Sequence, residues 1–319
     1  MLKVNSHSRQ CWVAFEASVL TQQNFQSIAI PFAGSAKLDW YLKLWSKQIF
    51  DNDICQWAWW VARARVENNG EQLAEAELEV ILKDAYVPNT ELNNPDLRKW
   101  FSETDALWLD NVRVNIEGLT SDTHKALAIW AGILLGDYIL SFDEQTRALR
   151  RPLSEVYIDL LTIVNRIIDN RQDNHSSNWE AVEFIVRTKA DLLYLNLPLP
   201  GSLLAFLESP RCWREVWIRG EDNDLSAQLQ PAIRGSFGGL VLSKERYRQI
   251  LSELLERAKH MPIWAISFQE SSFITLNEIS EMIKKYRPLQ AIYSKDMSDL
   301  VGGAKVYIVV ASKEKASRR

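Results

Sequence analysis

Residues 190–201 read ADLLYLNLPLPG. A compact apolar run of this kind marks a strand buried on both faces of a parallel sheet. Asn196, followed by Leu197, Pro198 and Leu199, falls where that strand leaves the sheet. Open α/β sheets place their chemistry at the carboxyl ends of the strands, so an acceptor amide beside two prolines is a candidate reactive loop. A second candidate is PFAGSA, Pro31 to Ala36, which joins an apolar stretch to a helical one. Gly34 lets a ligand approach the backbone closely, and a helix amino terminus holds polar or anionic groups. Taken alone this is equally an ordinary strand-to-helix turn. Its weight rises because Asp53 closes the next strand, at the distance where a carboxylate accepts hydrogen bonds from ribose hydroxyls. Asp53 would also serve as the N-cap of the helix starting in ICQWAWW. Glu180, in NWEAVEFIV, is placed either to reach the adenine ring of a cofactor or to be a surface acid in the first turn of a helix.

These residues need a sheet to position them. QSIAIPF (26–32) is a short strand, and in the following AGSAKLDWYLKLW the residues Leu38, Tyr41, Leu42 and Trp45 recur at helical spacing. KQIFDND then gives a second strand ending in Asp51 and Asp53, completing a strand–turn–helix–strand unit that opens a nucleotide-binding sheet. From about 55 to 175 the pattern is mostly helical, with helices expected over 56–66, 72–84, 122–140 and 152–169, a break at VPNTELNNPD, and a strand at LWLDNVRVNIE (107–117). Strand and helix patterns then alternate through FIVRTKADLLYLN, KERYRQILSELLERAKH, MPIWAISF and TLNEISEMIKKY. They close with LQAIYS and AKVYIVVAS, which are expected to form an antiparallel hairpin. The expected architecture is a Rossmann-like, doubly wound, mostly parallel α/β sheet. Residues 1–55 and 176–319 would form it, and 56–175 would be a helical insertion.

Composition narrows the function. With 47% hydrophobic and 24% charged residues, the 319-residue chain is a packed globular protein, and most of its 13 tryptophans belong to cores and helix contacts. A formal net charge of −4 gives no long-range attraction to phosphate, so a nucleic-acid role would rest on a local patch. Arg147, Arg150 and Arg151, or Lys313, Lys315, Arg318 and Arg319, are the candidates. Cys11, Cys55 and Cys212 form no disulfide framework or zinc spacing, and the four histidines are scattered, so no metal site is expected. The amino-terminal MLKVNSHSRQCW has no apolar signal core, and ALAIWAGILLGDYIL is too short to span a bilayer and carries Asp137. A soluble, cytoplasmic protein with no membrane association is expected.

PFAGSAKLDWYLK, IFDNDICQ, NWEAVEFI with RTKADLLYLNLPLPG, WAISFQESSF, and SDLVGGAKVYIVVAS follow one another in an order that resembles the adenine-specific DNA methyltransferases. The closer likeness is to the group whose target-recognition part lies between the second strand and the catalytic strand. The resemblance runs from about residue 26 to 312. It implies S-adenosylmethionine as cofactor, with Pro31, Phe32, Ala33, Gly34 and Ser35 beside it, Asp53 on its ribose and Glu180 at its adenine. It also places the family's catalytic Asp-Pro-Pro-Tyr loop on Asn196, Leu197, Pro198 and Leu199.

The departures carry chemical weight. Asn196 retains an acceptor oxygen for the amine of a flipped adenine, and related amino-methyltransferases use Asn there as well as Asp. Leu197 supplies a carbonyl without the rigidity of proline. Leu199 has no π face, and losing a base stack of roughly 1–3 kcal/mol weakens base capture by one to two orders of magnitude. The third small position of the glycine turn is Ala36, and SHSRQCWVAF stands where the family carries a Gly-x-Lys segment. The resemblance therefore implies a DNA adenine methyltransferase homologue with weak or no activity. The alternatives are a non-catalytic module binding DNA or a partner protein, and a small-molecule or RNA methyltransferase on the same fold.

Overall fold

The computed structural model describes residues 12–87, 91–198, 212–220, 243–296 and 305–313. Its sheet has seven strands: β1 (Ser27–Ile30), β2 (Gln48–Asn52), β3 (His175–Ser177), β4 (Leu192–Asn196), β5 (Ile263–Gln269), β6 (Leu289–Asp296) and β7 (Lys305–Ser312). They lie in the order β3-β2-β1-β4-β5-β7-β6. The pairings from β3 through β5 are parallel, and β7 runs antiparallel to both β5 and β6. The expected doubly wound α/β architecture is borne out, and so is the closing hairpin.

Alternation along the central strands sets which residues meet which layer. Ile28, Ile30, Ile49, Leu192, Tyr194, Ala265, Ile308 and Val310 face a core shared with α1 (Val13–Leu20) and α2 (Lys37–Leu44). On the opposite face Ala29, Leu193, Leu195, Trp264, Ile266 and Val309 pack on α8 (Ala181–Arg187), α10 (Lys244–Arg257) and α11 (Leu276–Lys284). With both faces covered, apolar runs such as ADLLYL are what such strands must be made of.

The remaining helices are α3 (Gln56–Ala62), α4 (Glu75–Leu82), α5 (Glu103–Glu117), α6 (Asp122–Ile139), α7 (Leu153–Val164) and α9 (Cys212–Arg219). They share a separate core that includes Trp108, Leu109, Ala128, Tyr157, Trp213 and Trp217. A short π-helical stretch, Arg63–Glu67, continues α3. One expectation is corrected here, and one strand was not anticipated. Residues 107–117 are helix rather than strand: the local Val-Arg-Val-Asn-Ile alternation gives way to burial of Trp108, Leu109, Val112 and Ile116, which lie on one side of a helix whose first turn is capped by the Ser102 hydroxyl. The third strand, HSS, lies at the edge of the sheet and carries no apolar signature. Among the described residues, no helix is long and apolar enough to cross a membrane.

Candidate functional site

The turn after β1 is held from several directions. Pro31 ends the strand, and Gly34 adopts φ +58, a conformation that favours glycine. Ala36, at φ 49 and fully buried, takes a left-handed conformation without that freedom. The Ala33 N–H donates to Asn52 O at 3.0 Å, the Ala36 N–H to Ala33 O at 3.1 Å, and Arg65 Nη1 to Ser35 O at 2.9 Å. On the side where a Cβ of Gly34 would stand, no atom lies within 4 Å. The turn is therefore fixed in shape and open on one side.

Asp53 is bound into this turn. Its Oδ2 accepts the Gly34 N–H at 2.8 Å and its Oδ1 accepts the Cys55 N–H at 2.9 Å. One carboxylate thus braces the glycine turn and the entry to α3 together. Asn52, buried beside it, donates from Nδ2 to Pro31 O (3.2 Å) and Trp179 O (3.0 Å) and accepts the Trp179 N–H at Oδ1 (2.9 Å). Asn178 donates to Asp53 O and Ile54 O. Glu180 follows directly, as the N-cap residue of α8, and its side chain makes no capping bond. The Pro31–Ser35 turn, Asp53 and the Asn178–Glu180 stretch are thereby brought together at adjoining strand ends. Replacing Asn52 by Leu strands the buried Pro31 carbonyl, at about 1–3 kcal/mol, and leaves the half-buried Trp179 carbonyl and N–H without this partner. The expected result is a clear drop in the urea midpoint of unfolding.

The fourth element stands beside them, because β4 is the neighbour of β1. Asn196 ends β4 opposite Ser267, and its Oδ1 is buried with no hydrogen-bond partner among the described residues. The Leu197 N–H donates to Ser267 O at 2.9 Å, and its side chain is buried in the core of the α8–α10–α11 face. Pro198 O accepts from the Tyr247 hydroxyl at 3.4 Å. The rigidity a proline would give at position 197 is supplied here by a backbone hydrogen bond and by packing. Leu199 lies outside the described residues.

Beneath the turn is a buried ionic group absent from the sequence reading. Asp39 on α2 is 1% exposed, and burial raises its carboxyl from 3.8 to about 7, against the opposing pull of the Arg65 guanidinium. Burial likewise drives the Asp51 carboxyl well up, with Asp39 adding repulsion. Arg65 itself lies 5.6 Å from the Trp40 ring and 5.1 Å from that of Trp130.

The proposed basic patch is elsewhere, on the helical layer. Arg147, Arg150 and Arg151 line a surface hollow of about 650 Å³ with Tyr86, Asp105 and Glu144. Arg150 pairs with Asp105 at 3.1 Å, Arg147 with the same carboxylate at 3.5 Å, and Arg151 with Asp159 at 2.5 Å. Much of that positive charge is matched in place. Lys315, Arg318 and Arg319 lie outside the described residues.

The open side of Gly34, the unpartnered Asn196 oxygen and the uncapping Glu180 fit a nucleoside-bearing cofactor at this edge. Comparison with known proteins bears on the chain as a whole. The chain is 22% identical over 284 residues to the type II methyltransferase M2.HphI of Haemophilus parahaemolyticus, covering 82% of this chain and 81% of the relative. No protein-family model matches. The fold is Rossmann-like, of the S-adenosylmethionine-dependent methyltransferase kind. The likeness supports a methyltransferase family for the chain and S-adenosylmethionine as its cofactor.

Three residues around the turn escaped sequence reading: Asn52, Asn178 and Arg65. The two asparagines were legible in principle, as amides at strand ends within the quoted motifs, Asn52 buried and Asn178 half-buried. Arg65 reaches Ser35 from the π-helical stretch after α3, 30 positions along the chain, and leaves no local pattern.

Proposed function

We propose that the protein is an S-adenosylmethionine-dependent homologue of the DNA adenine methyltransferases, directed at the exocyclic amine of adenine, with weak or no transfer activity. Residues 1–55 and 176–319 would carry the cofactor, and 56–175 would face the target and any partner protein. The observation that carries the reading is the gathering of the Pro31–Ser35 turn, Asp53 and Glu180 beside the unpartnered Asn196 oxygen.

Phe32, Gly34 and Ser35 would line the cofactor, Asp53 would accept from its ribose, and Glu180 would meet its adenine. Asp53 already holds the Gly34 N–H on Oδ2 and the Cys55 N–H on Oδ1. Those two bonds fix the orientation of the carboxylate at the strand end. When bound, S-adenosylmethionine supplies a sulfonium methyl group as electrophile. The adenine amine is a poor nucleophile because its lone pair is delocalised into the ring. Asn196 Oδ1 and a backbone carbonyl of the 197–198 stretch would accept its two hydrogens and favour a tetrahedral nitrogen. Holding the base against that pair is the task for which Leu199 has no aromatic ring.

Calorimetry with S-adenosylmethionine and incorporation of labelled methyl into DNA test the reading. Cofactor binding with low incorporation is expected, and Leu199→Tyr is expected to raise incorporation about 10- to 100-fold. Cofactor binding with no incorporation by either form would assign the protein to the non-catalytic, binding class. Absence of cofactor binding would overturn the proposal.

A further inference from the structure

Helix α9 follows the Asn196–Leu199 loop in sequence, yet it packs in the helical layer. There it is fixed at many points. Trp213 and Trp217 enter the α6 surface, Arg113 donates from two nitrogens to Ile218 O, and Asn94 donates to Val216 O. Glu215, in the middle of the helix, is 0% exposed. Its Oε1 accepts the Gln56 N–H and its Oε2 the Trp57 N–H, both at 3.1 Å, while Arg219 Nε donates to Oε1 at 2.8 Å. These two amides open α3, where Cys55 as N-cap residue makes no side-chain capping bond. A helix start with unsatisfied N–H groups needs such an acceptor, and a carboxylate there also meets the helix dipole favourably.

The three successive N–H groups of Cys55, Gln56 and Trp57 donate to these two carboxylates. Asp53 accepts the Cys55 N–H and the Gly34 N–H, and Glu215 accepts the next two amides. The glycine turn, the end of β2 and the start of α3 are thus joined to α9 through hydrogen bonds to fixed amides.

We propose that Glu215 is a positioning residue for the cofactor edge: it sets the backbone entering α3, and through that backbone the carboxylate of Asp53 and the turn at Gly34. The docking of α9 and the shape of the cofactor edge are therefore linked, and linkage makes the effect reciprocal. The cofactor part of this inference rests on the function proposed above, and the backbone part does not.

The test uses the full chain with Glu215→Gln, which keeps size and one acceptor. Tyr157→Phe serves as a control that removes a buried hydrogen bond to Ala128 O in the same helical core without touching α3. Amide exchange without ligand is the first readout. In Glu215→Gln, Gly34 and Cys55 through Trp57 are expected to exchange at least 10-fold faster, and in Tyr157→Phe they are not. Equal acceleration in both variants, or changes confined to α9, would overturn the proposal. Calorimetry with S-adenosylmethionine is the second readout. Glu215→Gln is expected to bind 3- to 10-fold more weakly than the wild type and the control at comparable thermal stability. Unchanged affinity would overturn the cofactor part. If the wild type binds no S-adenosylmethionine, the proposed function fails, and the exchange comparison still decides whether Glu215 positions the turn.

Discussion

Trp217→Ala is expected to lower the stability of the protein by about 3–5 kcal/mol, the usual cost of emptying a large buried aromatic site. The ring is 1% exposed, its indole nitrogen donates to Leu109 O at 2.8 Å, and it fills a slot above Gly132 of α6. One helical turn on, Trp213 sits over Gly136 in the same manner. A Cβ at Gly132 would stand 2.2 Å from the Trp217 ring, and one at Gly136 would stand 2.1 Å from Trp213, so neither slot tolerates even a methyl group. Gly132→Ala in an exposed helix would gain up to about 1 kcal/mol of helix propensity. Here overpacking, at roughly 1–3 kcal/mol, outweighs that gain and the variant is destabilised. The sign reverses when the ring is removed. In the Trp217→Ala background, Gly132→Ala is expected to be neutral or stabilising, and a double-mutant cycle by urea denaturation would read the difference directly.

Acidification over the neutral range is expected to strengthen the fold. Burial holds the Asp39 carboxyl at about 7 in the folded chain against an ordinary 3.8. Between those values the folded state binds a proton that the unfolded state has lost, so stability falls as pH rises from about 4 to 7. A difference of that size corresponds to something on the order of 4 kcal/mol. Asp51, raised by burial and by the nearby Asp39, works in the same direction. Glu16 and Asp53 add further repulsion around Asp39, and Arg65 offsets part of it. The urea midpoint should be higher at pH 5 than at pH 8, and Asp39→Asn should flatten that slope while gaining relative stability at pH 8. A midpoint that rises with pH across this window in the wild type would contradict the assignment.

Much of the α/β part was legible because its signals are local. PFAGSA marks a turn by its small residues, ADLLYL marks a doubly covered strand by its unbroken apolar run, and α10 and α11 show their faces at helical spacing. The site was legible to the same depth: Gly34, Asp53, Glu180 and Asn196 lie near one another because strand ends do. What stayed hidden was of two kinds. Short polar elements give no period to read, and β3 is three residues long with Ser176 and Ser177 buried at a sheet edge. Long-range partners give no spacing to read, as with Glu215, which meets Gln56 across 159 positions. The strand expected at 107–117 failed for a third reason. Its alternation was real over five residues, and burial of Trp108 and Leu109, adjacent in sequence, settled the choice for helix.

The antiparallel strand β7 has a consequence for how the chain is made. It lies between β5 and β6 and bonds to both, yet it follows both in sequence. A growing polypeptide therefore carries two open backbone edges, one on each side of a gap, until residues 305–312 leave the ribosome. Removing residues 305–312 would leave the gap unfilled: the Trp264 and Ile266 strand would lose its outer neighbour, and β6 would lose the strand it pairs with among the described residues. Completion of the barrier between folded and aggregation-prone states thus falls to a segment that supplies none of the proposed ligand contacts.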